Sequence, residues 1–140
     1  MRFLMIVKAN EQSETGGAPS PELLSAMTKY NEELAKAGVL LELAGLHPSS
    51  EGARVHFRGG KPTVVDGPFA ETKELIAGFW LIQTKSKEEA IEWAKRAPAP
   101  FGADLPGVIE VRQLFEMGDF GAFEGSERAG EIQKQLAKNR

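Results

Sequence analysis

The chain has 140 residues, no cysteine, two histidines and a formal net charge of −3. That length suits one domain with a core of its own, and the missing thiols exclude a disulfide framework, thiolate catalysis and any cysteine-built zinc or iron–sulfur centre. Acids and bases are mixed along the chain with no long basic stripe for phosphate contacts, so no direct nucleic-acid partner is expected.

Met1 to Lys8 is apolar for too few residues to form a signal-peptide core or a membrane span, so a cytoplasmic location with no membrane partner is the expectation. Phe3 to Val7 is apolar without alternation, which predicts a strand covered on both faces. The polar stretch from Asn10 to Pro19 reads as a loop. Ser20 is a good N-cap and Pro21 a good first helical residue; Leu23, Met27, Tyr30 and Leu34 recur at helical spacing, and Gly38 supplies the stop. Val39 to Ala44 is a second apolar strand. Arg54–Arg58 and Lys61–Val65 flank Gly59-Gly60, a two-residue hairpin signal, and Pro62 places that arm at a sheet edge.

Asp66-Gly67-Pro68 then forces a turn, with Gly67 read as free to adopt positive φ and Asp66 as able to cap nearby backbone donors. Leu75 to Gln83 forms a central strand. Ser86 and Glu89 make a capping box that opens a helix carrying Ala90, Ile91, Trp93 and Ala94 before Pro98 stops it. The last strand is Val108 to Leu114, with Ile109 and Val111 on one face and Glu110 and Arg112 on the other. The domain is placed at residues 1–115, and 116–140 reads as a flexible tail with a weak terminal helix around Ile132 and Leu136.

The order strand, helix, strand, hairpin, strand, helix, strand is an α+β, ferredoxin-like split βαβ layout with an inserted hairpin. Two helices cover only one face of such a sheet. The first and central strands are apolar on both sets, so a second copy is expected on the other face, giving a homodimer.

Ten residues, Val65-Asp66-Gly67-Pro68-Phe69-Ala70-Glu71-Thr72-Lys73-Glu74, continued through Leu75 to Trp80, closely resemble the signature of the DGPF subgroup of the YCII-related proteins. The resemblance extends from Met1 to about Phe115. It includes Glu33 to Leu40, Ala44-Gly45-Leu46, Gly59-Gly60, Glu89 to Ala94 and Ile109 to Arg112. It implies the dimeric α+β barrel architecture. Some YCII-related proteins are thought to pair a helix His with an Asp after the second helix in lyase-like chemistry; here those positions carry Met27 and, near the Asp position, Ala97, neither of which can move a proton. DGPF proteins also resemble genomic companions, and sometimes fusion partners, of sigma-factor-like regulators.

Candidate site residues follow from type and place. Asp66 ends a strand where a turn begins and reads either as a general base or as a cap for that turn. With Glu71 it forms the candidate carboxylate acid/base of a lyase or isomerase. His47 lies on a loop at a strand end, where functional residues often collect. Lys73 and Arg112 are candidate clamps for an anionic ligand, with Arg112 either facing a cavity or paired to Glu110. His47 and His56 lack the spacing of a metal pair, and no glycine-rich phosphate loop or nucleophile elbow is present, so neither metal nor cofactor is expected. The resulting expectation is a homodimeric protein with a small-molecule site; the alternatives are a lyase- or isomerase-type enzyme and an accessory domain of sigma-factor-like regulators, and a separate hypothesis gives the tail from Gly118 a role in oligomerisation.

Overall fold

The computed structural model describes residues 1–139. Four strands form one antiparallel sheet: β1 (Arg2–Lys8), β2 (Leu40–Gly45), β5 (Ile76–Gln83) and β6 (Ile109–Gln113), in the order β2-β5-β1-β6. Helices α2 (Pro21–Lys36) and α3 (Lys87–Arg96) lie on one face. The β1-α2-β2 and β5-α3-β6 units interleave, because β1 pairs with β5 and not with β2, as the split layout requires.

Register decides which side chains meet the helices. Phe3 pairs with Ile82 and Gln113, Met5 with Trp80 and Val111, and Val7 with Gly78 and Ile109. Phe3, Met5, Trp80, Ile82, Tyr30, Leu34 and Ala90 form the buried core on that face. Leu4, Ile6, Phe79, Leu81, Glu110 and Arg112 lie on the opposite face, where Leu81 is buried and Leu4, Ile6 and Phe79 are half-buried. Strand β6 thus alternates as its sequence predicts.

Local signals explain most element ends. Ser20 Oγ accepts from the Leu23 N–H, and Gly38 at φ 73° closes α2 while its N–H donates to the Ala35 carbonyl. Ser86 Oγ accepts from the Glu89 N–H, but Glu89 reaches back to the Lys85 N–H, one residue before the expected partner. Tyr30 Oη donates to the Trp93 carbonyl at 2.6 Å, satisfying an acceptor that the end of α3 leaves without an intrahelical partner. This bond ties the two helices together.

Three readings of the sequence need correction. The stretch after β1 is not all loop: α1 (Glu11–Glu14) forms because Asn10 and Ser13 cap each other reciprocally. The hairpin, β3 (Ala53–Arg58) and β4 (Lys61–Asp66), turns through Gly59 and Gly60 at φ 59° and 82° as its sequence predicts, yet it is a separate two-stranded ladder and not an edge of the main sheet. The Leu46–Gly52 and Gly67–Leu75 connections carry it clear. Gly67 does not use positive φ. It is glycine because a Cβ there would sit 1.7 Å from the Ser49 carbonyl oxygen. The Gly67 N–H donates to the Gly52 carbonyl, Ser49 Oγ accepts from the Phe69 N–H at 3.0 Å, and Glu14 accepts from the Ser49 N–H at 2.9 Å and from its hydroxyl. Ser49, and not the Asp66 carboxylate, therefore holds the turn. Phe69 seats the loop under the Arg54 guanidinium at 3.8 Å.

Beyond β6, Arg2 makes a bidentate pair with Glu116, the residue before a short turn at Met117–Phe120, and α4 (Ser126–Lys138) follows with Ile132 and Leu136 exposed. Among the described residues no helix is long and apolar enough to cross a membrane.

Candidate functional site

A cavity of about 630 Å³ opens between α2 and the end of the sheet where β2 finishes and β5 begins. Its origin is a gap in the pattern of side chains. Gly45 and Gly78 are direct cross-strand partners in the row that includes Val7, on the helix-covered face. Neither projects a side chain, so the layer that fills the core further along the sheet is missing here. A Cβ on Gly45 would meet nothing within 4 Å, whereas one on Gly78 would lie 2.8 Å from the Ala44 carbonyl oxygen. Gly45 leaves space, and Gly78 permits close approach of two backbones.

Leu23, Met27 and Asn31 of α2, Leu43 of β2, Trp80 of β5 and Phe101 wall the cavity. The Trp80 indole N–H donates to Asn31 Oδ1 at 2.7 Å. Because indole can only donate, this bond fixes the orientation of the Asn31 amide and leaves its NH₂ group without a protein acceptor. No buried side-chain polar atom lacks a partner among the described residues, so that amide is reachable from the cavity. Tyr30 stacks edge-on against Trp80 at 5.4 Å, which locks the indole from behind. The cavity thus has a rigid aromatic wall and one oriented amide donor, the few-polar-groups pattern of small-molecule sites.

The predicted site residues do not gather here. His47 lines the cavity, and it is the lone titratable side chain in that wall among the described residues. Asp66 is exposed at the end of β4, and Glu71 and Lys73 are exposed around the 3₁₀ turn at Thr72–Glu74. Arg112 lies on the sheet face opposite the helices and pairs with Glu110 at 3.3 Å, so the salt-bridge reading of that pair is the observed one. Met27, the position to which the resemblance assigns a His in relatives, does face the cavity; Ala97 packs against the core. Among the described residues no group of three or more His, Cys, Asp or Glu side chains could hold a metal ion.

Sequence reasoning missed the cavity's makers. Gly45 and Gly78 interrupt otherwise strong strand patterns, and a glycine inside a strand signals a missing side chain or a close backbone approach. That was the available signal. Asn31 offered none, since nothing in a sequence pairs a helix amide with an indole 49 residues away.

A solved structure, 5-chloro-2-hydroxyhydroquinone dehydrochlorinase (TftG) from Burkholderia phenoliruptrix AC1100 in complex with 2,5-dihydroxybenzoquinone, is similar at a TM-score of 0.47 and 16% identity, covering 87% of this chain and 100% of that one. An uncharacterised protein of Rhizobium meliloti (strain 1021) is 34% identical over 89 residues, which span 61% of this chain and 72% of the relative. The family model described as YCII-related domain matches residues 1–118. With a match over that much of its length, the chain belongs to the YCII-related family.

Proposed function

We propose that this protein binds an uncharged, largely apolar small molecule in the cavity between α2 and the Gly45–Gly78 end of the sheet, and that it does so as a homodimer. One observation carries the reading: a cavity of about 630 Å³, within the size range of ligand sites, whose wall holds no Asp, Glu, Lys or Arg. An ionised ligand entering it would lose water without gaining a counter-charge, which is strongly unfavourable. A ring stacked near Trp80, with a carbonyl or hydroxyl accepting from the Asn31 amide, fits the wall, and His47 at the rim offers a second polar contact. Binding is favoured over turnover because Met27 supplies a thioether where proton transfer would need an imidazole. Asp66, Glu71, Lys73 and Arg112 take no part in this reading.

The half-buried apolar residues Leu4, Ile6 and Phe79 on the sheet face opposite the helices support self-association there. The Asp66-Gly67-Pro68-Phe69 turn supports placement in the DGPF subgroup.

Matched neutral and charged probes test the ligand class. Benzyl alcohol and acetophenone should raise the melting temperature at millimolar concentration and quench tryptophan fluorescence; benzoate and benzylamine should do neither. Gly45→Leu fills the cavity from a strand position with free space, so it should abolish the response while leaving the melting temperature of the free protein within about 3 °C, roughly 1 kcal/mol. Equal response to benzoate, or a Gly45→Leu variant that still binds, would sink the reading. Light scattering at micromolar concentration tests the dimer, and a monomer mass would refute it.

A further inference from the structure

Three segments meet at Ser49. Its N–H donates to Glu14 Oε2 at 2.9 Å and its hydroxyl donates to Glu14 Oε1, while Oγ accepts from the Phe69 N–H at 3.0 Å. A hydroxyl has one proton to give and lone pairs with which to accept, so Ser49 uses both capacities at once. The carboxylate belongs to α1 and the amide to the Asp66–Phe69 turn.

The segment that carries Glu14, Asn10–Pro19, spans the cavity. It follows β1 and leads into α2, so its two ends lie near Val7 and Ser20, both of which line the cavity; Gln12, Ser13, Gly16 and Pro19 between them line it as well. Nothing apolar pins the segment down. Ala18 and Pro19 are its only apolar side chains, both are exposed, and no side chain of the segment is buried. Its other hydrogen bonds close on themselves: Asn10 and Ser13 cap each other, and the N–H groups of Glu14, Thr15 and Gly16 donate to the carbonyls of Asn10, Glu11 and Ser13. Among the described residues, the hydrogen bonds that tie the segment to the rest of the protein are the two from Ser49 to Glu14. It is a self-braced turn on one charged tether, and local opening costs least where buried contacts are few. Gly16, at φ 80°, and Gly17 supply a hinge at one end.

We propose that Asn10–Pro19 is a lid over the cavity, latched by Glu14 on Ser49, and that the Asp66–Phe69 turn holds Ser49 where the latch can close. This rests on the small-molecule reading above and adds how the ligand is admitted. The tether is charge-assisted, so its loss should favour the open state by about tenfold or more.

Because the chain has no cysteine, one introduced thiol reports opening with no ligand present. Met27→Cys places it on the cavity wall, and Ala94→Cys places a control on α3 against the core. Methyl methanethiosulfonate should label Met27→Cys about tenfold faster or more when Glu14→Ala or Ser49→Ala is added, and should label Ala94→Cys at an unchanged rate. The two substitutions together should match Glu14→Ala within about twofold, since both act on one tether. Leu23→Cys, on the same wall, takes the place of Met27→Cys if the latter lacks the wild-type circular dichroism spectrum. An unchanged wall rate with Glu14→Ala overturns the lid, and so does an equal rise at Ala94→Cys, which marks general loosening. Acetophenone at millimolar concentration should slow labelling of the latched Met27→Cys protein. If it does not while the latch effect persists, the ligand class fails and the lid stands.

Discussion

Gly67→Ala isolates the physical role of the signature turn. The new Cβ would lie 1.7 Å from the Ser49 carbonyl oxygen and 2.6 Å from its carbon, both backbone atoms that cannot rotate away. Ordinary contact needs about 3.5 Å, so the two loops must separate by roughly 2 Å. That movement breaks the Gly67 to Gly52 backbone bond at 2.9 Å and the Phe69 to Ser49 bond at 3.0 Å. At about 0.5–1.5 kcal/mol each, with a further ~0.5–1 from the Arg54–Phe69 contact, the cost is about 1.5–4 kcal/mol. The control is Gly59→Ala, where a Cβ meets nothing within 4 Å and the sole cost is the left-handed backbone at φ 59°, about 1 kcal/mol. Urea denaturation followed by tryptophan fluorescence measures both. A Gly67→Ala variant no less stable than Gly59→Ala would refute the close-approach account.

Other perturbations probe the packing around the site. Tyr30→Phe removes the hydroxyl that satisfies the Trp93 carbonyl and should cost about 1–3 kcal/mol in a urea melt. Burial pushes the Tyr30 phenol up from 10.0 to about 12, so its contribution is complete below pH 10 and is lost as pH rises through 12; Tyr30→Phe should lack that alkaline limb. Hydrogen bonding from Arg2 holds the Glu116 carboxyl below its usual range, so that pair stabilises above the carboxylate range and fails as pH falls through it. Glu116→Gln should therefore cost no more than about 1 kcal/mol at neutral pH and flatten the acid limb of a thermal-melt profile. Leu34→Ala, at a fully buried position of α2, should cost about 2–5 kcal/mol in the same urea assay.

The main elements were legible because each rests on a short-range signal. Ser20-Pro21 and Gly38 bracket α2, Ser86 opens α3, and Gly59-Gly60 turns the hairpin, all as local chemistry demands. The failures share a different cause. Asn10 with Ser13 is a cap box inside a polar run with no apolar period to announce a helix. Gly67 answers to Ser49, eighteen positions earlier, and a sequence shows a glycine's conformational freedom but not the backbone that crowds it.

The cavity was illegible for a related reason. Chemistry-bearing side chains such as Asp66, Glu71, Lys73 and Arg112 stand out in a sequence, and the fold puts all four on exposed surfaces. The cavity exists where side chains are absent, at Gly45 facing Gly78, and among its polar lining residues Asn31 has its amide direction fixed by an indole. The same reasoning gives the signature turn its purpose. Ser49 follows the loop that carries Leu46, His47 and Pro48 along the cavity rim, and the Asp66–Phe69 turn clamps Ser49 from the other side. The signature therefore meets the cavity rim through the backbone of Gly67 and Phe69 at Ser49 and Gly52, and not through its charged side chains.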